Sequence, residues 1–247
     1  MGKINTDDKN NQIINTPDLS SIKLDFVGRN NILYFENSDI RMDGVITFKG
    51  DNSIFAIKSS KDVLKLNVTI YNDSTVYLGS NCSMNNKLEI IASEAKNVII
   101  GDEGLFSSQC LIRTSDAHRI YSIDTLSRVN DGKSVYIGDH VWLSARVVVL
   151  KGSHIHSGSI IGSDAVVTGK EIKSNTIWAG NPAREVKRNI LFDKTGTHGL
   201  TSANSSEAAK IDTNKSSHYI FSYNADQHVD FDSIEEKLGK LQDPHER

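Results

Sequence analysis

From Val135 to Pro182 the chain divides into sixes: VYIGDH, VWLSAR, VVVLKG, SHIHSG, SIIGSD, AVVTGK, EIKSNT, IWAGNP. In that register Ile137, Leu143, Val149, Ile155, Ile161 and Val167 fall on one line, each six residues from the last, between positions that are mostly small or polar. A period of six matches neither an α-helix, which repeats at about 3.6 residues, nor a plain hairpin sheet, which repeats at about two. It is the pattern of a β-helix, in which each short strand turns a corner and the aligned aliphatic side chains stack into a narrow core. The class is therefore all-β, and one elongated repeat domain with a terminal addition accounts for 247 residues.

Composition narrows the function classes. Proline occurs only at 17, 182 and 244 and aliphatic residues are ample, as in an ordered soluble protein. A net charge of −3 argues against a general nucleic-acid binder. The stretch MGKINTDDKNNQIINTPD has no apolar run suited to a signal peptide, and no later window approaches a membrane span, so a cytoplasmic location is expected. Cys82 and Cys110 stand at no metal or redox spacing and are expected to be reduced and buried. Between Arg146 and Arg188 the basic residues Arg146, Lys151, Lys170, Lys173, Arg184, Lys187 and Arg188 outnumber Asp164, Glu171 and Glu185. That end of the repeat is cationic, as a site for a phosphorylated small molecule would be.

Three parts are expected: a polar arm at 1–20, a solenoid domain at 21–192 and a C-terminal extension at 193–247. Between Ile22 and Ile112, β-prone runs such as GVITFKG and LKLNVTIYN read as degenerate coils. Ile54, Leu66, Leu78 and Ile90 are spaced by twelve, twice the hexad. The ladder then breaks at 113–134, RTSDAHRIYSIDTLSRVNDGKS, where polar residues stand at aliphatic positions. A break of this kind predicts a loop extruded onto one face, and such insertions often build binding surfaces. After Asn181-Pro182 the hexad stops, and AREVKRNILF is expected to form a short helix covering the open end of the coil. Residues 193–217 read as linker, HYIFSY as a strand, and Ser233 with Glu236 as the capping box of a helix presenting Ile234, Leu238 and Leu241.

The chain resembles the hexapeptide-repeat acyltransferases with a left-handed parallel β-helix. The residues that carry the resemblance are SDAH at 115–118, YSID at 121–124, IGDHVWLSARVVVLKG at 137–152, IIGSDAVVTGK at 160–170 and WAGNPAREVKR at 178–188. In pattern they are similar to bacterial O-acetyltransferases of capsular polysaccharide, lipopolysaccharide and sialic acid. The resemblance implies acetyl-CoA as donor, a carbohydrate acceptor, no metal and a homotrimer with donor sites between subunits.

Carried over position by position, His118 matches the loop histidine that acts as general base, a task suited to an imidazole that is neutral near physiological pH. Asp116 is a candidate for orienting it. Trp142 matches the tryptophan beside the cleft, a flat surface for the pantetheine arm or a sugar ring. The intervening loop is expected to bring His118 and Trp142 into the same cleft. Ala145 matches a position whose backbone N–H meets the donor, Ser163 and Thr168 match pantetheine contacts, and Arg184 and Lys187 match cations near the nucleotide phosphates. Lys170 departs from the family pattern: Thr168-Gly169-Lys170 stands where Thr-Lys-Asp is usual, a displacement that would reverse its facing in a strand.

Two other readings fit the same fold. A zinc-dependent hydratase would use histidines such as His118, His140, His154 and His156, although His154 and His156 flank the inward Ile155 and are expected to lie on a solvated surface. A non-catalytic β-helix would bind polysaccharide through its loop. The basic loop residues Arg113, Arg119, Arg128 and Lys133 suit an anionic sugar, and equally suit ordinary solvated charge.

Overall fold

The computed structural model describes residues 4–202, 204–206, 211 and 231–241. The hexad works as a fold because each six residues supply one short strand and one corner. Val135–Ile137, Trp142–Leu143 and Val148–Val149 make three sides of a triangular coil, and His154–Ile155 begins the next coil directly against the first side. Stacked coils form three sheets, which we call A (nine strands), C (six) and B (seven) in the order in which each C-terminal coil visits them. The chain is a left-handed parallel β-helix of about seven turns.

All six residues of the hexad line are buried. They feed three inward columns, of which that of sheet B runs Ile46, Val68, Ile90, Ile112, Val149, Val167, each paired in register with the next. Corners require the chain to turn sharply, and His140, Arg146, Asp164 and Asn175 do so with positive φ of 51°, 60°, 59° and 56°. At Gly138 the reason for glycine is proximity: a Cβ there would stand 2.6 Å from Ser157 Oγ and 2.7 Å from its backbone nitrogen.

The N-terminal coils differ from the expected pattern. Their repeat is 22 residues, seen in the pairing of Ile46 with Val68 and of Val68 with Ile90. The spacing of twelve is incidental, since Ile54 pairs with Thr75 and Leu66 with Leu88. Seven-residue strands Met42–Phe48 and Leu64–Ile70 widen these coils, and sheet C begins only at Ser83–Met84. Residues 4–14, expected to be part of a polar arm, form Ile4–Thr6 and Gln12–Ile14, and the latter is already a rung of sheet A.

At the other end, AREVKRNILF is not helical. Arg184–Arg188 folds back as an antiparallel strand on Thr176–Ala179 and covers that edge of sheet C. Phe192 then stacks on the buried His140 at 4.1 Å, its carbonyl oxygen 2.9 Å from His140 Nε2, and burial pushes the His140 pKa below its ordinary value. HYIFSY lies outside the described residues. The helix, Phe231–Lys240, starts two residues before Ser233, so Ser233 is inside it and is no N-cap. Its buried Phe231 stacks on Tyr136 at 4.9 Å and meets His154 and His156, whose imidazoles face Glu171. These histidines are thus covered by the helix rather than solvated, because the helix occupies the outer side of sheet A. Both cysteines are buried, and burial pushes the Cys82 thiol up to about 12.

Leu143→Ala should cost about 2–5 kcal/mol in urea unfolding, as a cavity in a core with no slack. Val186→Ala, on the exposed return strand, should stay within about 0.5 kcal/mol.

Candidate active site

The excursion loop leaves sheet B after Leu111–Arg113 and returns to sheet A at Val135–Ile137, so it springs from the B–A corner. It is anchored to the same corner of the coils on either side. Arg128 makes two bonds to Glu94, at 2.7 and 2.8 Å, and the Gly132 N–H donates to Glu94 Oε2 at 3.0 Å. On the other side Lys151 Nζ donates to Asp116 Oδ2 and to the Asn130 carbonyl oxygen.

Asn130 holds the loop's base together. Its buried amide donates to Asp116 Oδ2 at 3.0 Å and to the His118 carbonyl oxygen at 2.8 Å, while its Oδ1 accepts from the Ile120 N–H at 2.8 Å. Ala117, at φ 68°, turns the chain immediately before the exposed His118. His118 is therefore a side chain in solvent on a fixed backbone, an arrangement that can carry a proton to or from a bound molecule.

Asp116 does not take the position expected of an orienting carboxylate. Its side chain is bound by Lys151 and Asn130, and the His118 backbone N–H bonds the Asp116 carbonyl oxygen at 2.8 Å. The Lys151 ammonium holds its carboxyl below the usual range, as the Arg128 guanidinium does for Glu94. Asp116, Asn130, Lys151, Thr168 and Gly169 line a cleft of about 500 Å³ on the C-terminal side of the loop.

Trp142 stands elsewhere. It projects from sheet C, the side of the triangle opposite the B–A corner, where its ring lies 5.8 Å from Phe192. One chain thus does not place His118 and Trp142 in one cleft, because a loop tied down at its own corner cannot reach the facing side. The donor-binding candidates divide in the same way. Ala145 and Ser163 occupy successive C–B corners, with the Asp164 N–H donating to the Ala145 carbonyl oxygen at 3.0 Å. The N–H groups of Ala145 and Ser163 have no acceptor among the described residues. Thr168 lies at the B–A corner, and Lys170 stands outside any strand, directly before Glu171–Ile172, its carbonyl oxygen accepting from the His154 N–H at 2.8 Å. Arg184 and Lys187 are exposed on the return strand and, among the described residues, have no carboxylate partner. By contrast Arg146, Lys151 and Arg188 are neutralised by Asp164, Asp116 and Glu185.

Sequence reasoning missed Asn130 and the pairing of Lys151 with Asp116. The one available signal was an asparagine in the broken stretch of the ladder, which says nothing of its partners.

Residues 134–169 match the bacterial transferase hexapeptide family (six repeats). The chain is 32% identical over 191 residues to the polysialic acid O-acetyltransferase of Neisseria meningitidis, a match covering 76% of this chain and 88% of that protein. It is 33% identical over 145 residues to the polysialic acid O-acetyltransferase of Escherichia coli O1:K1, covering 59% of this chain and 46% of the relative's length. The crystal structure of the polySia specific acetyltransferase NeuO superposes with a TM-score of 0.67 at 31% identity, over 81% of this chain and 91% of that one.

The loop anchors carry a pH dependence. A carboxylate whose folded pKa lies below its unfolded value stabilises the fold above the unfolded value and loses that contribution as pH falls through the folded one. Glu94 and Asp116 are of this kind, so the loop should hold at neutral pH and loosen below about pH 4. Amide protection factors over 115–133 should fall as the pH drops below about 4, before those of the coils. Asn130→Ala should produce the same loosening at pH 7.

Proposed function

Because the chain belongs to the hexapeptide-repeat family of bacterial O-acetyltransferases, we propose that it moves the acetyl group of acetyl-CoA to a hydroxyl of a sialic acid unit in a surface polysaccharide. Relatives named as polysialic acid O-acetyltransferases support that acceptor. The observation that carries the mechanism is His118, exposed on a loop whose backbone Asn130 fixes.

In this reading the neutral His118 imidazole accepts the proton of the acceptor hydroxyl as its oxygen attacks the thioester carbonyl. The C–S bond then breaks, and the proton passes to the departing thiolate. Transfer is direct, within a ternary complex, and positioning supplies much of the acceleration. No thiol is required, in keeping with the burial of Cys82 and Cys110. The N–H groups of Ala145 and Ser163, without an acceptor among the described residues, are available to the developing oxyanion or to the amide carbonyls of the pantetheine arm. Trp142 offers that arm a flat wall. Thr168 flanks it, Lys170 adds charge, and Arg184 with Lys187 bind the nucleotide phosphates.

These groups stand on different sides of the triangle, so the site is completed in a homotrimer: the B–A corner of one copy, with His118, meets the C side and C–B corner of its neighbour. The donor pool makes the cytoplasm the proposed location. Among the described residues no helix is long and apolar enough to cross a membrane.

The histidines of the zinc reading other than His118 have partners within the chain. Among the described residues no three His, Cys, Asp or Glu side chains are grouped to hold a metal ion. His140 faces a backbone carbonyl, and His154 and His156 share Glu171.

Steady-state assays with acetyl-CoA and polysialic acid test the assignment. His118→Ala should lower kcat by about 10²–10⁴-fold with unfolding in urea unchanged. Full activity in that variant removes His118 from the mechanism.

A further inference from the structure

A second cleft, of about 680 Å³, lies on the N-terminal side of the excursion loop. Tyr71, Asn72 and Asp73 line it from one coil, Ser93 from the next, and Arg113 and Ala117 from the coil that bears the loop. We propose that this cleft holds the sugar that receives the acetyl group, and that the Arg113 guanidinium takes the sugar's carboxylate. The inference rests on the acetyltransferase reading above and names the acceptor subsite of that same site.

Arg113 is built for the task by its place in the coil. Ile112 points into the core, so Arg113, the next residue of the same strand, points outward into the cleft. Its Nε donates to the Ser115 carbonyl oxygen at 2.7 Å, which fixes the plane of the guanidinium. The two terminal nitrogens make no ion pair among the described residues, and the carboxylate that feels their charge, Asp116, is itself held by Lys151. Arg128, on the same loop, has its charge taken up by Glu94. A half-buried, pinned guanidinium with its fork open is the usual recogniser of a carboxylate, because it presents two parallel N–H groups at no further ordering cost.

The remaining walls suit a sugar. Tyr71 is 37% exposed and offers a ring against which the C–H face of a pyranose can pack. Lys49 Nζ stands 5.9 Å from the centroid of that ring and adds a second positive charge near the cleft. Ser93 Oγ, hydrogen-bonded to Ser115 Oγ at 2.7 Å, supplies a polar partner for a hydroxyl, and Asn72 and Asp73, whose Oδ1 atoms accept from the Asp51 N–H and the Asn52 amide, border the cleft. Glu94 also borders the cleft, but its carboxylate is paired with Arg128 and the Gly132 N–H. The volume lies within the range of about 300–1,000 Å³ for small-molecule pockets. Ala117 forms part of the wall and the proposed base, His118, is the next residue of the chain.

The cleft therefore selects a carboxylated acceptor over a neutral one, through a contact that plays no part in proton transfer. The test uses a sialic acid oligomer, the same oligomer with its carboxylates reduced to alcohols, and a panel of neutral hexosides. Wild type should favour the carboxylated oligomer over the reduced one by about tenfold or more in kcat/KM, the worth of one charge-assisted bidentate contact. Arg113→Gln should abolish that preference by raising KM for the carboxylated oligomer, with KM for acetyl-CoA changed less than twofold. Arg113→Lys, which keeps the charge and loses the fork, should retain part of it.

A variant Arg113→Gln that keeps the wild-type preference overturns the proposal and leaves the acetyltransferase reading standing. Equal losses on both oligomers in Arg113→Gln and Arg113→Lys, accompanied by an earlier thermal transition, overturn it too by making Arg113 a structural residue. Wild-type turnover confined to neutral hexosides overturns both this subsite and the sialic acid reading.

Discussion

Register between coils is the constraint on which everything else hangs. Each coil donates backbone hydrogen bonds to the next, as from the Leu105 N–H to the Val141 carbonyl oxygen and from the Trp142 N–H to that of Ser159, both 2.9 Å. A residue inserted within a strand would turn every later side chain in it to the wrong face. Insertions are tolerated at corners, where the chain is already turning and pairing is suspended. The excursion at 114–134 sits at such a corner, and Ile112 still pairs with Val149 across it. The solenoid thus carries the excursion loop without disturbing the ladder above or below.

The same geometry distributes the chemistry. Three corners and three sides give each chain separate stations: His118 and the two flanking clefts at the B–A corner, Ala145 and Ser163 at the C–B corner, Trp142 on side C. Because the core is a rigid stack, no local rearrangement brings these stations together within one chain. In the homotrimer proposed above, a three-fold axis would set the corner of each copy against a side of its neighbour. In the proposed assembly the acceptor cleft belongs to the loop-bearing copy and much of the donor groove to its neighbour.

What could be read from the sequence follows from how local the determining physics is. The hexad from Ile137 to Val167 was legible because each aliphatic residue reports its own burial. The N-terminal coils were less so, since their 22-residue period contains longer strands and corners of unequal length, and counting by twelve crosses from one sheet to another. The return strand Arg184–Arg188 is mostly charged, a composition that fits a helix as well as a strand, and only the open edge at Thr176–Ala179 decides between them. His118 was singled out by resemblance. Its supports could not be, because Asn130, Glu94 and Lys151 meet through three different coils. Likewise Arg113 was one basic loop residue among four until the pairing of Arg128 with Glu94 and the cleft at Tyr71 set it apart.

Mixed assembly tests the shared site most directly. His118→Ala and Trp142→Ala chains, each expected to lose at least about tenfold in activity at donor concentrations below KM, are unfolded together in equal amounts and refolded. If each site takes His118 from one copy and Trp142 from its neighbour, every mixed trimer regains one intact site of three. Random assembly then restores about a quarter of wild-type activity. A mixture no more active than either variant alone, with mixed trimers verified by mass spectrometry, contradicts a site built between copies.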